Sequence, residues 1–64
     1  MAKQGEELLT EAEVAKWLRV SVSSLKRLRL SGEGPPSINV SKRAIRYKRA
    51  DVDAWLRRRA EEGS

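Results

Sequence analysis

The sequence predicts a small α+β domain: two short helices separated by a tight turn, a two-stranded hairpin, and a third helix that closes the core. Three observations predict it. Helix-capping residues stand at Thr10 and Ser21, a break stands at Gly32-Glu33-Gly34-Pro35-Pro36, and apolar residues alternate with polar ones on both sides of Ser41-Lys42-Arg43-Ala44.

Thr10-Glu11-Ala12-Glu13 has the form of a capping box, in which the Thr10 hydroxyl accepts from the Glu13 amide and the Glu13 carboxylate reaches back. A helix therefore starts at Glu11. Val14, Ala15 and Leu18 form its apolar stripe, Leu9 stands where a hydrophobic staple would, and Trp17 borders the stripe. Arg19-Val20-Ser21 is too short for anything but a turn. Ser21 is a good N-cap for a second helix running to about Leu30, with Leu25 and Leu28 on one face and Val20 plugged beneath. Gly32 stops this helix. Pro35 and Pro36 lack amide donors and Pro35 biases Gly34 toward extended backbone, so the chain crosses the surface here. Ile38 and Val40 then alternate with Ser37 and Asn39, and Ile45 and Tyr47 with Arg46 and Lys48, the period-two pattern of a half-buried hairpin. A third helix opens near Arg49. Asp51 and Asp53 fall in its first turns, Val52, Trp55 and Leu56 form its apolar face, and Arg57-Arg58-Arg59 suit the negative pole of its dipole. The expected domain covers residues 8–59, between flexible tails at 1–7 and 60–64.

Charge has a location in this chain. Ten basic residues stand between Lys16 and Arg49 against one acidic residue, Glu33, whereas the flanks together hold four basic and eight acidic residues. A field of that shape predicts a polyanionic partner. There is no cysteine and no histidine, which removes disulfides and the usual zinc ligands and is compatible with a reducing cytoplasm. No apolar run approaches the roughly 20 residues needed to span a bilayer, and the first seven residues carry no apolar signal core. A cytoplasmic protein, nucleoid-associated when bound, is expected, with no membrane partner. The carboxylates Glu11, Glu13, Asp51 and Asp53 each sit in the opening turns of a helix, where capping and dipole interactions account for them. With no Gly-rich phosphate loop either, an enzyme, a cofactor or a small-molecule substrate is not expected.

Two helices joined by a three-residue turn, with Val14, Ala15, Leu18, Val20, Leu25 and Leu28 as the apolar positions, make a helix-turn-helix arrangement. The small Ala15 lets the helices cross closely. The second helix then exposes Val22, Ser23, Ser24, Lys26, Arg27 and Arg29, short polar and long basic groups with no carboxylate among them, as a major groove requires.

The stretch from Leu8 to Leu56 resembles the winged helix-turn-helix domains of phage and mobile-element excisionases and AlpA-like regulators, relatives of the MerR DNA-binding domain. The resemblance lies in its order: LLTEAEVAKWL, then VSVSSLKRLRLSGEGPP, then INVSKRAIRYKRADVDAWL. It implies a recognition helix in the major groove and a hairpin, the wing, on the backbone or in the adjacent minor groove. Carried over by position, Ser23 and Arg27 face bases, Ser24 and Lys26 face phosphates, and Lys42, Arg43, Arg46 and Lys48 contact DNA from the wing. The function implied is sequence-specific binding of double-stranded DNA, as an excisionase that bends DNA and assists a tyrosine or serine integrase, with neighbouring copies of itself on the DNA; an AlpA- or MerR-like transcriptional regulator is the alternative.

Plainer readings stand beside these. A basic face can serve solubility alone, and wing cations can protect an exposed hairpin edge. The basic face could also dock an acidic protein or RNA, although exposed aromatic residues of the kind that single-stranded RNA recognition uses are missing. Trp17 and Trp55 have the chemistry of stacking platforms for single-stranded bases, but each lies on or beside an apolar stripe and reads as core, and Tyr47 reads as an anchor from wing to core with its hydroxyl near the surface.

Overall fold

The computed structural model describes residues 7–63; residues 1–6 of the expected N-terminal tail and Ser64 of the C-terminal one lie outside the described residues. The order is β1 (Leu8–Thr10), α1 (Glu11–Leu18), α2 (Val22–Ser31), β2 (Ile38–Ser41), β3 (Ala44–Lys48) and α3 (Arg49–Glu62). The sheet is antiparallel with strand order β1-β3-β2. It therefore has three strands where a two-stranded hairpin was expected. Leu8-Leu9-Thr10 is too short to show a period of its own, and it is a strand because β3 offers a free edge, pairing Leu9 with Tyr47 and Thr10 with Arg46.

Helices α1 and α2 each begin and end for a local reason. At α1 the capping box is complete: the Glu13 amide donates to Thr10 Oγ1 at 3.1 Å and the Thr10 amide to Glu13 Oε1 at 2.8 Å. Arg19 ends α1 in the left-handed region at φ 58°, where its own amide and that of Val20 close on the carbonyls of Lys16 and Ala15. Ser21 caps α2, accepting from the Ser24 amide at 3.0 Å. Gly32, at φ 81°, ends it. No side chain caps α3 at Lys48. The helix continues to Glu62, so residues 60–62, assigned to a flexible tail on sequence, extend it.

Leu9, Val14, Ala15, Leu25, Tyr47 and Val52 form the buried core, one or two residues from every element except β2, with Trp17, Leu18 and Ile45 packed against it. Leu28, Ile38, Trp55 and Leu56 are half-buried. Two expected core residues are at the surface. Val20 is 41% exposed, because the left-handed turn at Arg19 spends the Val20 amide on Ala15 and leaves its side chain on the rim of a groove. Val40 is 51% exposed, because the β2–β3 register slips between Asn39 and Ser41 and makes Val40 the extra residue of a bulge.

The Gly-Pro segment is a brace between helices. The amides of Glu33 and Gly34 both donate to the Leu28 carbonyl, and the Trp55 indole N–H donates to the Glu33 carbonyl at 3.1 Å, so the end of α2 is tied to α3. A side chain at Gly34 would bring a Cβ to 3.2 Å from Leu28 Cβ, which is why glycine stands there. Among the described residues no helix is long and apolar enough to cross a membrane.

Candidate nucleic-acid interface

Leu25 is buried on α2 and Leu28 half-buried, so the helix turns the opposite face outward. Val22, Ser23, Ser24, Lys26 and Arg27 are all exposed there, as the pattern predicts. Ser24 also belongs to the cap, since the Ser21 hydroxyl donates to Ser24 Oγ at 2.9 Å. The wing tip is the two-residue turn Lys42-Arg43 between paired Ser41 and Ala44, and both cations are exposed. Arg46, half-buried on β3, donates to its own Ile45 carbonyl at 2.8 Å, which folds the guanidinium back along the strand.

A groove brings helix and wing together. Val22, Lys26 and Arg29 of α2, Thr10, Glu11 and Ala12 at the start of α1, and Arg43, Ile45 and Arg46 of the wing line it. Lys26, Arg29, Arg43 and Arg46 thus converge from two elements on one concave face. Lys48 does not join them. It shares the Arg46 face of β3 but lies at the strand's other end, opposite Leu8 and beside the start of α3.

Arg29 differs from the expectation of an outward DNA contact. Its Nε donates to Glu11 Oε2 at 2.8 Å, and the Tyr47 hydroxyl donates to the same oxygen at 2.9 Å. With side-chain exposures of 20% and 17%, the Arg29–Glu11 pair lies half inside the fold and joins α1, α2 and β3 at one point. Burial alone would raise the Glu11 carboxyl. The hydrogen bonds from Arg29 and Tyr47, with the charges of Arg29 and Lys26, outweigh it and hold the group below its ordinary value. Arg29 is correspondingly raised by its bond to Glu11, and burial, with the Glu11 carboxylate beside it, pushes the Tyr47 hydroxyl up to about 12. Glu11 does more than the helix-start role its position suggested. Nothing in the sequence marks a pair 18 residues apart. Leu30, also unassigned on sequence, lies on the α2 face beside Ser23, Lys26, Arg27 and Ser31; its offset of three and four residues from Arg27 and Lys26 is a signal the sequence does carry.

Three other cations, Arg49, Arg57 and Arg59, have partners elsewhere. Arg49 lies over the Trp17 ring at 5.2 Å and pairs with Glu7 at 3.0 Å; Arg59 lies over Trp55 at 5.0 Å, and Arg57 pairs with Asp53 at 3.2 Å. Both tryptophans are half-buried packing residues covered by arginine.

A capped helix pair crossing at a tight turn, with a basic wing beside the outer face of its second helix, defines a winged helix-turn-helix protein. The family model described as a helix-turn-helix domain matches residues 8–60, and the chain belongs to that family, whose domains bind DNA. No curated protein matches the chain.

Proposed function

We propose that the protein binds double-stranded DNA at specific sequences, with α2 in the major groove and the wing on the flanking backbone. The observation that carries this is the groove between them: cations from α2 and from the wing face one concavity, and among the described residues the only carboxylate lining it, Glu11, is already neutralised by Arg29. In this reading Ser23 and Arg27 face base edges, Lys26 faces phosphate with Ser24 beside it, and Lys42, Arg43 and Arg46 hold the backbone. Five cations without a carboxylate partner among the described residues then meet phosphate or base: Lys26, Arg27, Lys42, Arg43 and Arg46. If all five release counterions, log K falls against log salt with a slope of about −4 to −5. A salt titration giving a slope near zero would remove the DNA reading.

We further propose that binding is architectural, as in an excisionase. One ten-residue helix and one short wing read only a few base pairs, too few to distinguish a site among roughly 10⁶ or more competitors. Specificity is then pooled with neighbouring copies or a recombinase, and curvature of the duplex toward the basic face adds contacts at a deformation cost of about 1 to 6 kcal/mol. Circular-permutation gel shifts on a footprinted site, at rising protein concentration, test both parts. A single copy that binds an isolated half-site tightly and leaves it straight favours the transcriptional regulator instead.

A further inference from the structure

Leu30 is 70% exposed, the most exposed of the large apolar side chains among the described residues. At about 100° per residue it stands roughly 140° from Leu25 and 160° from Leu28, at the point of α2 most remote from the core. Ser23 lies two turns earlier on nearly the same line, Lys26 and Arg27 flank that line one turn away, and the four side chains, with Ser31, surround one shallow depression. Val22, 47% exposed, lines the neighbouring groove toward the wing instead. An apolar side chain at the centre of a basic, hydroxyl-bearing helix face meets water in the free protein.

We propose that Leu30 reads the 5-methyl group of a thymine, granted that α2 enters the major groove as proposed above. Of the four bases only thymine presents an apolar group in that groove, so a leucine between the phosphate-facing Lys26 and the base-facing Arg27 has one complementary target there. A second copy or another protein is a poorer fit, since Lys26 and Arg27 would have to be covered along with the leucine. Ser23 and Leu30 are about 10 Å apart along the helix, roughly three base steps, so the methyl lies within about three base pairs of the position Ser23 faces.

Selection from a random duplex pool supplies the preferred sequence. The same duplex is then made with deoxyuridine in place of each thymine in turn, which removes the methyl and leaves every hydrogen-bonding edge. Wild-type protein is expected to bind about fourfold more weakly when the contacted methyl is removed, the worth of one buried methyl-sized group. Leu30→Ala, at an exposed helix position where alanine favours folding, is expected to bind both duplexes equally, and Leu30→Met to keep the preference. Two results overturn the proposal: wild-type affinity that does not change at any thymine, which leaves Leu30 to a protein contact, or a methyl preference that persists in Leu30→Ala. Recovery of a preferred sequence in those cases leaves the DNA reading standing. A pool from which no preferred sequence emerges overturns both.

Discussion

Replacing Tyr47 by Phe removes one oxygen from the junction of α1, α2 and β3 and leaves a fully buried ring in place. The lost bond is 2.9 Å long and ends on a carboxylate. Hydrogen bonds to charged groups contribute about 1.5 to 3 kcal/mol. Glu11 keeps Arg29 on the same oxygen, so the expected loss is at the lower end, about 1.5 to 2 kcal/mol at pH 7. For a domain of this size that lowers Tm by roughly 6 to 16 °C. Urea denaturation followed by the fluorescence of Trp17 and Trp55 measures it. The alkaline limb gives a second reading. Burial and the Glu11 carboxylate hold the folded Tyr47 hydroxyl at about 12, above the unfolded value of about 10. The hydroxyl's contribution is therefore complete below pH 10 and is lost as pH rises through about 12. Tyr47→Phe lacks that titration, so the two proteins converge in stability over this range. A variant within about 0.5 kcal/mol of wild type at pH 7, a surface-like effect, with a parallel alkaline limb, would show that the junction is not structural.

Three further outcomes are expected. Glu11→Gln keeps the shape of the junction and removes its charge; because the folded Glu11 carboxyl lies below its ordinary value, wild type should lose stability as pH falls through that lowered value and the variant should show less of this acid limb in denaturation scans from pH 7 to 2. Arg27→Ala should lower discrimination between preferred and altered sites by about 1 to 3 kcal/mol, whereas Lys42→Ala should weaken binding to both alike and flatten the salt slope by about one unit, as competition binding at several salt concentrations reports. Ser21→Ala removes the oxygen that accepts from the Ser24 amide and should cost about 1 kcal/mol by chemical denaturation, with α2 fraying at the end that carries Val22 and Ser23.

Features written in neighbouring residues were legible in the sequence. The Thr10 capping box, the Ser21 cap, the stop at Gly32, and the hairpin centred on Lys42-Arg43 all depend on contacts a few residues apart. What was missed depends on distance. β1 exists only because β3 returns beside it, and Glu11, Arg29 and Tyr47 meet across separations of 18 and 36 residues. Val20 and Val40 were misplaced for a related reason. Val40 is in phase with the strand pattern and a bulge breaks that phase, whereas Val20 stands in a turn whose left-handed residue carries its side chain to the rim; neither change alters composition. The exposed cations of α2 and the wing tip were readable because exposure follows from the helical and strand periods, whereas the turning inward of Arg29 required knowing where Glu11 would be.

Because β3 lies between β1 and β2, the order in which the chain can fold is restricted. The helix pair is joined by local contacts and can form early, yet the core also needs Leu9 against Tyr47 and Val52 from α3. Closing a loop of nearly forty residues is the slow event expected to set the folding rate. Chains cut between Gly32 and Ala44 would retain the whole of α2 and still leave Leu9, Val14 and Leu25 without the strand and helix that cover them. The outer face of α2 is therefore not separable from the rest: the helix acquires a fixed setting only when the last third of the sequence has joined it.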